Sequence, residues 1–193
     1  QALSALIARV ACVVEIGLIF PPDQPPERLR AVAEAAEAAG VPELWLWEDC
    51  FAESGVAPAA AALAWSSRLR VGLGLLPVPL RNVALTAMEL STLDRMFPGR
   101  LLPGIGHGVL PWMGQAGARA SSPLTLLREY GVALRALLSG EEVTSAGRYV
   151  TLDRVRLRHA PLPAAQRAPL LVGAEGPKTL ALAGEIGDGV IFT

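Results

Sequence analysis

Two carboxylates, Glu48 and Asp49, stand side by side at the end of an apolar run that contains Trp45 and Trp47, and Cys50 follows them. A carboxyl group at the mouth of a hydrophobic strand is partly desolvated, which raises the cost of its charge and suits it to proton transfer. The same pair would equally cap a helix or face solvent. A nucleophilic Cys50 is disfavoured, because neither His107 nor His159 lies near it in sequence. A second cluster, Gly104-Ile105-Gly106-His107-Gly108, ends another apolar run. Glycines let backbone approach an anion closely, so this stretch reads either as a phosphate cradle or as a turn, with His107 binding a ligand oxygen or capping the loop. The third is Gly173-Ala174-Glu175-Gly176-Pro177-Lys178, which leads into a helical pattern. The first turn of such a helix directs unpaired N–H groups and a positive dipole end at an anion, and Lys178 would add charge. A plain strand-to-helix turn is the alternative.

Other chemistries are missing. The chain has no Gly-Lys-Ser/Thr phosphate loop and no Gly-x-Ser-x-Gly elbow, and its two histidines make no zinc set. With 17 Lys and Arg against 18 Asp and Glu, the net charge is −1, which offers no basic field to nucleic acid and no polybasic anchor to a membrane. No uncharged apolar stretch approaches the roughly 18 residues of a membrane helix. The opening segment is interrupted by Arg9 and Glu15 and reads better as a first strand than as an export signal. Cys12 and Cys50 are too few for a disulfide scaffold and fit buried, reduced thiols, so a cytoplasmic protein is expected.

These candidate groups need a scaffold that brings them together. Apolar runs of strand length alternate with helical patterns, the signature of repeated βα units and a parallel sheet. Six strands are expected: 13–20, 43–47, 69–76, 100–106, 169–174 and 189–193. Between them, Leu29, Val32, Ala33 and Ala36 share a helix face that Gly40 ends, and Pro58 opens a shorter helix. The next helix, from Asn82, turns Val83, Ala87, Met88 and Leu93 inward; Ser122 and Pro123 cap and start a long one, and Pro177 opens the fifth. Trp45 and Trp47 fall on one strand face and read as core; Trp112 and Met113 read as pocket wall or loop packing. Residues 140–159 alternate apolar and polar side chains around Ser145-Ala146-Gly147, as a small hairpin or insertion would, and an insertion over about 140–168 is expected between the fourth helix and the fifth strand. In parallel α/β folds ligands sit at the carboxyl ends of strands. All three clusters, with the turn after the third strand, fall at such ends.

The motifs in order, from "IGLIF" through "AEAAEAAGVPELWLWED", "RVGLGLLPVPLRN", "ELSTLDRMFPGR", "GIGHG" and "LREYGVALRALLSGEEVTSAGRYV" to "GPKTLALAGEIGDGVIF", resemble the luciferase-like monooxygenase family. Within it they are similar to the flavin- and deazaflavin-dependent oxidoreductases related to methylenetetrahydromethanopterin reductase. The resemblance implies one TIM (β/α)8 barrel domain over 1–193, C-terminally truncated to about six βα units, and an FMN or 8-hydroxy-5-deazaflavin ring across the carboxyl ends of the strands. It implies hydride transfer or oxygen activation on a small organic substrate. Carried over residue by residue, Glu48 and Asp49 match the acidic or Asp-His pair that handles protons, and Gly74 and Leu75 match a bulge, often with a non-prolyl cis peptide, that backs the ring. Gly106, His107 and Gly108 match the cofactor loop, while Glu175 and Gly176 match a phosphate-contacting pair often written Gly-Gly. Val109 stands where certain relatives carry a catalytic glutamate, which disfavours a sugar-phosphate dehydrogenase. The pattern ends at "DGVIFT", two βα units short of its relatives, which would leave two open strand edges; a homo-oligomer, a dimer, is expected.

Two alternatives stand beside this reading. One is an NAD(P)-dependent Rossmann-type dehydrogenase, prompted by the Gly-x-Gly runs, although the first strand leads into prolines rather than a glycine fingerprint. The other is a non-catalytic barrel relative that pairs its edges with another chain.

Overall fold

The computed structural model describes residues 14–192. The opening apolar segment with Cys12, the start of the first expected strand at Val13 and the end of the last at Thr193 lie outside the described residues. Strand β1 (Leu18–Phe20) is followed by helix α1 (Leu29–Ala38), β2 (Glu43–Leu46), α2 (Val56–Trp65), β3 (Arg70–Pro77), α3 (Val83–Met96) and β4 (Leu101–Gly106). Then come α4 (Leu110–Gln115), α5 (Pro123–Leu138), the hairpin β5 (Val143–Ala146) and β6 (Thr151–Val155), β7 (Leu171–Gly173), α6 (Pro177–Ile186) and β8 (Gly189–Ile191).

Local chemistry sets these boundaries. In α1 the spacing of Leu29, Ala33 and Ala36 buries one face, while Arg30 and Glu34 pair at 2.8 Å on the other. Gly40, at φ +75°, ends the helix, and the Val41 N–H reaches back to the Ala36 carbonyl at 2.9 Å. Asn82 caps α3 by accepting the Ala84 N–H at 2.9 Å. Ser122 stands at the N-cap of α5, as expected, but its hydroxyl pairs with Thr125 Oγ1 at 2.7 Å instead of a backbone N–H.

Six parallel strands lie in the order β1-β2-β3-β4-β7-β8, each consecutive βα unit beside the last, with helices packed on one side. This is the arc of a (β/α) barrel. The Rossmann alternative fails here, because its sheet reverses direction of growth at a switch point and this one never does. The β5–β6 hairpin forms its own antiparallel sheet, as the 140–168 insertion predicted. Glu129 of α5 ties it down by accepting the N–H groups of Arg148, Tyr149 and Val150. Among the described residues, β1 and β8 each keep one unpaired edge.

Several expectations are corrected. Helix α2 starts at Val56, two residues before Pro58. The stretch after His107, read as loop, contains α4, a helix too short to show a period. Met88 is 58 % exposed, because the buried stripe of α3 runs through Val83, Thr86, Ala87, Leu90 and Leu93, and Met88 lies one residue, about 100°, away from it. Trp45 and Trp47 do share a face, but it is the inner face of the arc; Leu44 and Leu46 take the helix-covered core. Trp45 lies flat on Gly72, whose absent Cβ would fall 2.3 Å from the ring, and Trp47 is 38 % exposed.

Candidate functional site at the carboxyl ends of the strands

The loops singled out in the sequence meet at one pole of the arc. Between Leu73 and Leu76 the β3–β4 register shifts, and the Gly74–Leu75 peptide is cis, so the bulge expected there is present. It carries the Leu75 side chain across two neighbouring strands: a Cβ on Gly106 or Gly173 would come within 2.6 or 2.2 Å of Leu75 Cδ2. These two glycines are therefore filled by Leu75, which floors the mouth. Gly108, at φ +68°, lets the β4 loop fold onto the end of β3, with space for a Cβ closed by Pro77 and Met113. Met113 of α4 is fully buried in this packing.

His107 projects from the end of β4 to the first turn of α6, where Nε2 lies 3.4 Å from Thr179 Oγ1. Its Nδ1 is buried and makes no hydrogen bond of normal geometry. Burial holds the imidazole below its ordinary pKa, a backbone interaction with Pro123 pulling the other way. Helix α6 begins at Pro177, which has no N–H, and its Leu180 N–H bonds the Gly176 carbonyl at 2.9 Å. The N–H groups of Lys178 and Thr179 have no backbone acceptor among the described residues and face outward beside Gly176, where a Cβ would meet nothing within 4 Å. Glu175 and Lys178 are exposed beside them.

Glu48 and Asp49 have separate fates. Glu48 faces the Arg81 guanidinium in a fork, with Arg81 Nη2 2.7 Å from Oε2 and Nε 3.2 Å from Oε1, and it also accepts the Gly55 N–H. Its side chain is 9 % exposed and that of Arg81 14 %. Arg81 spends its remaining arm on Glu89 at 2.9 Å. Burial works against the Arg81 charge, but Glu48, with Glu89 behind it, outweighs that and holds the guanidinium above its ordinary pKa. Both Glu48 oxygens are therefore committed to fixed donors, an arrangement that suits a structural role beside the proton-handling one expected of it. No hydrogen bond or ion pair among the described residues engages the Asp49 carboxylate. Cys50 is half-buried rather than buried; burial, then the charges of Glu48 and Asp49, push its thiol up. Arg81 is the member of this site that sequence reasoning missed. It stood in the quoted "PLRN" stretch, but nothing local marks a partner 33 positions away.

A cavity of about 380 Å3 lies elsewhere, at the amino ends of β7 and β8, lined by Asp94, Arg167, Leu170 and Asp188 among others. It touches none of the glycine loops. Asp94 there receives the Ala168 N–H and Asp188 the Leu170 N–H, so its acids serve to fasten the segment that enters β7.

Residues 10–193 match the model of the luciferase-like monooxygenase family. The chain belongs to that family. It is 31 % identical over 177 residues to 5,10-methylenetetrahydromethanopterin reductase of Methanolobus tindarius, covering 91 % of this chain and 53 % of that protein. It is 30 % identical over 184 residues to an F420-dependent glucose-6-phosphate dehydrogenase of Nakamurella multipartita, covering 87 % and 52 %. Among solved structures, the coenzyme F420-dependent tetrahydromethanopterin reductase of Methanopyrus kandleri superposes with a TM-score of 0.81 at 25 % identity, over 93 % of this chain and 56 % of that one. The chain therefore spans about half the length of the relatives it matches. No helix among its described residues is long and apolar enough to cross a membrane.

Proposed function

We propose that this chain supplies the cofactor-holding mouth of an oxidoreductase that uses FMN or an 8-hydroxy-5-deazaflavin coenzyme on a small organic substrate. The observation that carries the reading is the convergence of four strand ends, β2, β3, β4 and β7, on one mouth floored by Leu75. The residues fit such a group: Gly176 leaves open space beside two N–H groups without backbone acceptors, and His107 Nδ1 is a buried polar atom without a hydrogen bond of normal geometry. Gly176, with Glu175, Lys178 and Thr179, would hold the phosphate end, and Gly106, His107 and Gly108 would border it. Gly74 and Leu75 would back the ring. When bound, the ring supplies the electron chemistry. The chain's share would be orientation, exclusion of water and proton handling, and the unengaged carboxylate of Asp49 supports giving the last to it. Val109 is 46 % exposed and offers no carboxylate, which favours a substrate other than a sugar phosphate.

The test is an absorbance-monitored titration of the chain, and of the polypeptide extended to its relatives' length, with FMN and with the deazaflavin coenzyme. Saturable binding of one of them, weakened at least tenfold by Gly176→Asp, is the expected result. Failure of both polypeptides to bind either compound would end the reading.

A further inference from the structure

The turn between β2 and α2 is shaped by a single side chain. Glu48 reaches over seven positions to the Gly55 N–H, so residues 49–54, with Asp49 at the base and Phe51 70 % exposed, form a loop closed at its neck. Gly55 is what allows that closure: a Cβ there would press on Leu76 at 3.0 Å, Leu73 at 3.1 Å and Glu48 Oε2 at 3.2 Å. The neck is in turn pinned to the next βα unit, because Arg81 forks Glu48 and bonds Glu89 of α3. The charged and titratable groups at this point are Glu48, Asp49, Cys50 and Glu53 of the loop, Arg81 and Glu89, with Tyr130 of α5 behind Arg81. Two features follow from this arrangement. Arg81 fixes the loop through a buried, bidentate pair whose geometry an ammonium could not reproduce. It also cancels the Glu48 charge, which otherwise stands next in sequence to Asp49.

We propose that Arg81 is a positioning residue of the mouth: acting through Glu48, it holds the Gly55-closed loop in register with the β3 bulge and, by neutralising Glu48, leaves the adjacent Asp49 carboxylate uncompensated. This rests on the proposed role of Asp49, but its consequences can be read without cofactor or substrate.

Cys50 serves as a local reporter of charge, since Glu48 and Asp49 both act on its thiol. The pH dependence of Cys50 alkylation by iodoacetamide, followed on the Cys50 peptide so that Cys12 does not contribute, would be compared in the parent, Arg81→Met, Arg81→Lys and the pair Arg81→Met with Glu48→Gln. Loss of Arg81 leaves the Glu48 charge uncancelled, so alkylation in Arg81→Met at a fixed pH on the rising limb is expected to fall about threefold to tenfold. The double variant is expected to return to the parent profile, and Arg81→Lys, which keeps the charge, to stay on it. Hydrogen exchange supplies the positional readout: residues 49–55 should exchange at least several-fold faster in both Arg81→Met and Arg81→Lys, with β3 and α3 unchanged. Arg81→Lys retains the charge and guards against a variant that does not fold. An unmoved Cys50 profile in folded Arg81→Met, unchanged exchange of 49–55 in Arg81→Lys, or faster exchange throughout the chain would each overturn the proposal. Absence of cofactor binding by both the chain and its extended form would defeat the functional reading and leave these results standing.

Discussion

Tyr130 links α5 to α3 through a hydrogen bond to Thr86 Oγ1 at 2.7 Å, and both residues are fully buried. Burial pushes its phenol from 10.0 up to about 12, against the opposing influence of the Thr86 bond and the Arg81 charge. In the unfolded chain the phenol ionises near its ordinary value, so between these limits unfolding releases a proton and is favoured by alkali. The contribution is whole below pH 10 and is lost as pH rises through about 12. At about 1.4 kcal/mol for each tenfold change in proton affinity, this amounts to roughly 3 kcal/mol of stability. The chain suits the measurement, because Tyr130 and Tyr149 are its only tyrosines and Lys178 its only lysine. Urea unfolding followed by circular dichroism at pH 8, 10, 11 and 12 should show this decline in the parent and a flatter one in Tyr130→Phe. At pH 8 the variant should be less stable by about 1–3 kcal/mol, since it leaves Thr86 Oγ1 buried without its donor, and adding Thr86→Val should recover most of that. Parallel slopes above pH 10, or a Tyr130 phenolate at pH 10 in protein that is still folded, would refute the reasoning.

Gly104→Ala should cost about 1–3 kcal/mol in chemical denaturation, because its Cβ would lie 2.5 Å from the Leu73 carbonyl oxygen, a backbone atom that cannot swing aside. Gly176→Ala, with nothing within 4 Å, should leave stability within about 0.5 kcal/mol of the parent. Acid stability should depend on Glu37: the Arg68 N–H first, then those of Ser67 and Leu69, lower its carboxyl to about 2 against a smaller pull from burial. Its contribution is present above pH 4.5 and lost as pH falls through about 2, so Glu37→Gln should flatten the acid limb of a pH-melting series. Glu48→Ala should destabilise the chain by about 3–5 kcal/mol, since it strands the half-buried Arg81 and frees the Gly55 N–H, and a loss below 1 kcal/mol would contradict the role assigned to the pair.

Much of this architecture is legible in the chain itself. The apolar runs that become β2, β3, β4 and β7 are nearly continuous, since a parallel sheet leaves no strand face for water, and the helices between them carry prolines, Asn82 and Gly40 at their ends. That periodicity is a local property, and so is the presence of glycines and acids at strand ends. Which acid remains free is not local. Glu48 and Asp49 are equivalent on paper, and Arg81, 33 residues on, separates them by forking one and leaving the other open. The two tryptophans show the same division, because alternation puts them on one strand face but cannot say which face is the inner one. Leu75 is marked only by the family resemblance and not by its own apolar run, and it is the bulge that lays it over Gly106 and Gly173. Sequence alone thus determined the rhythm of the βα units and the pole at which their chemistry gathers. Tertiary structure decided the partners, because a charge is neutralised and a cavity filled by whatever is nearest in space, and the chain order does not record that.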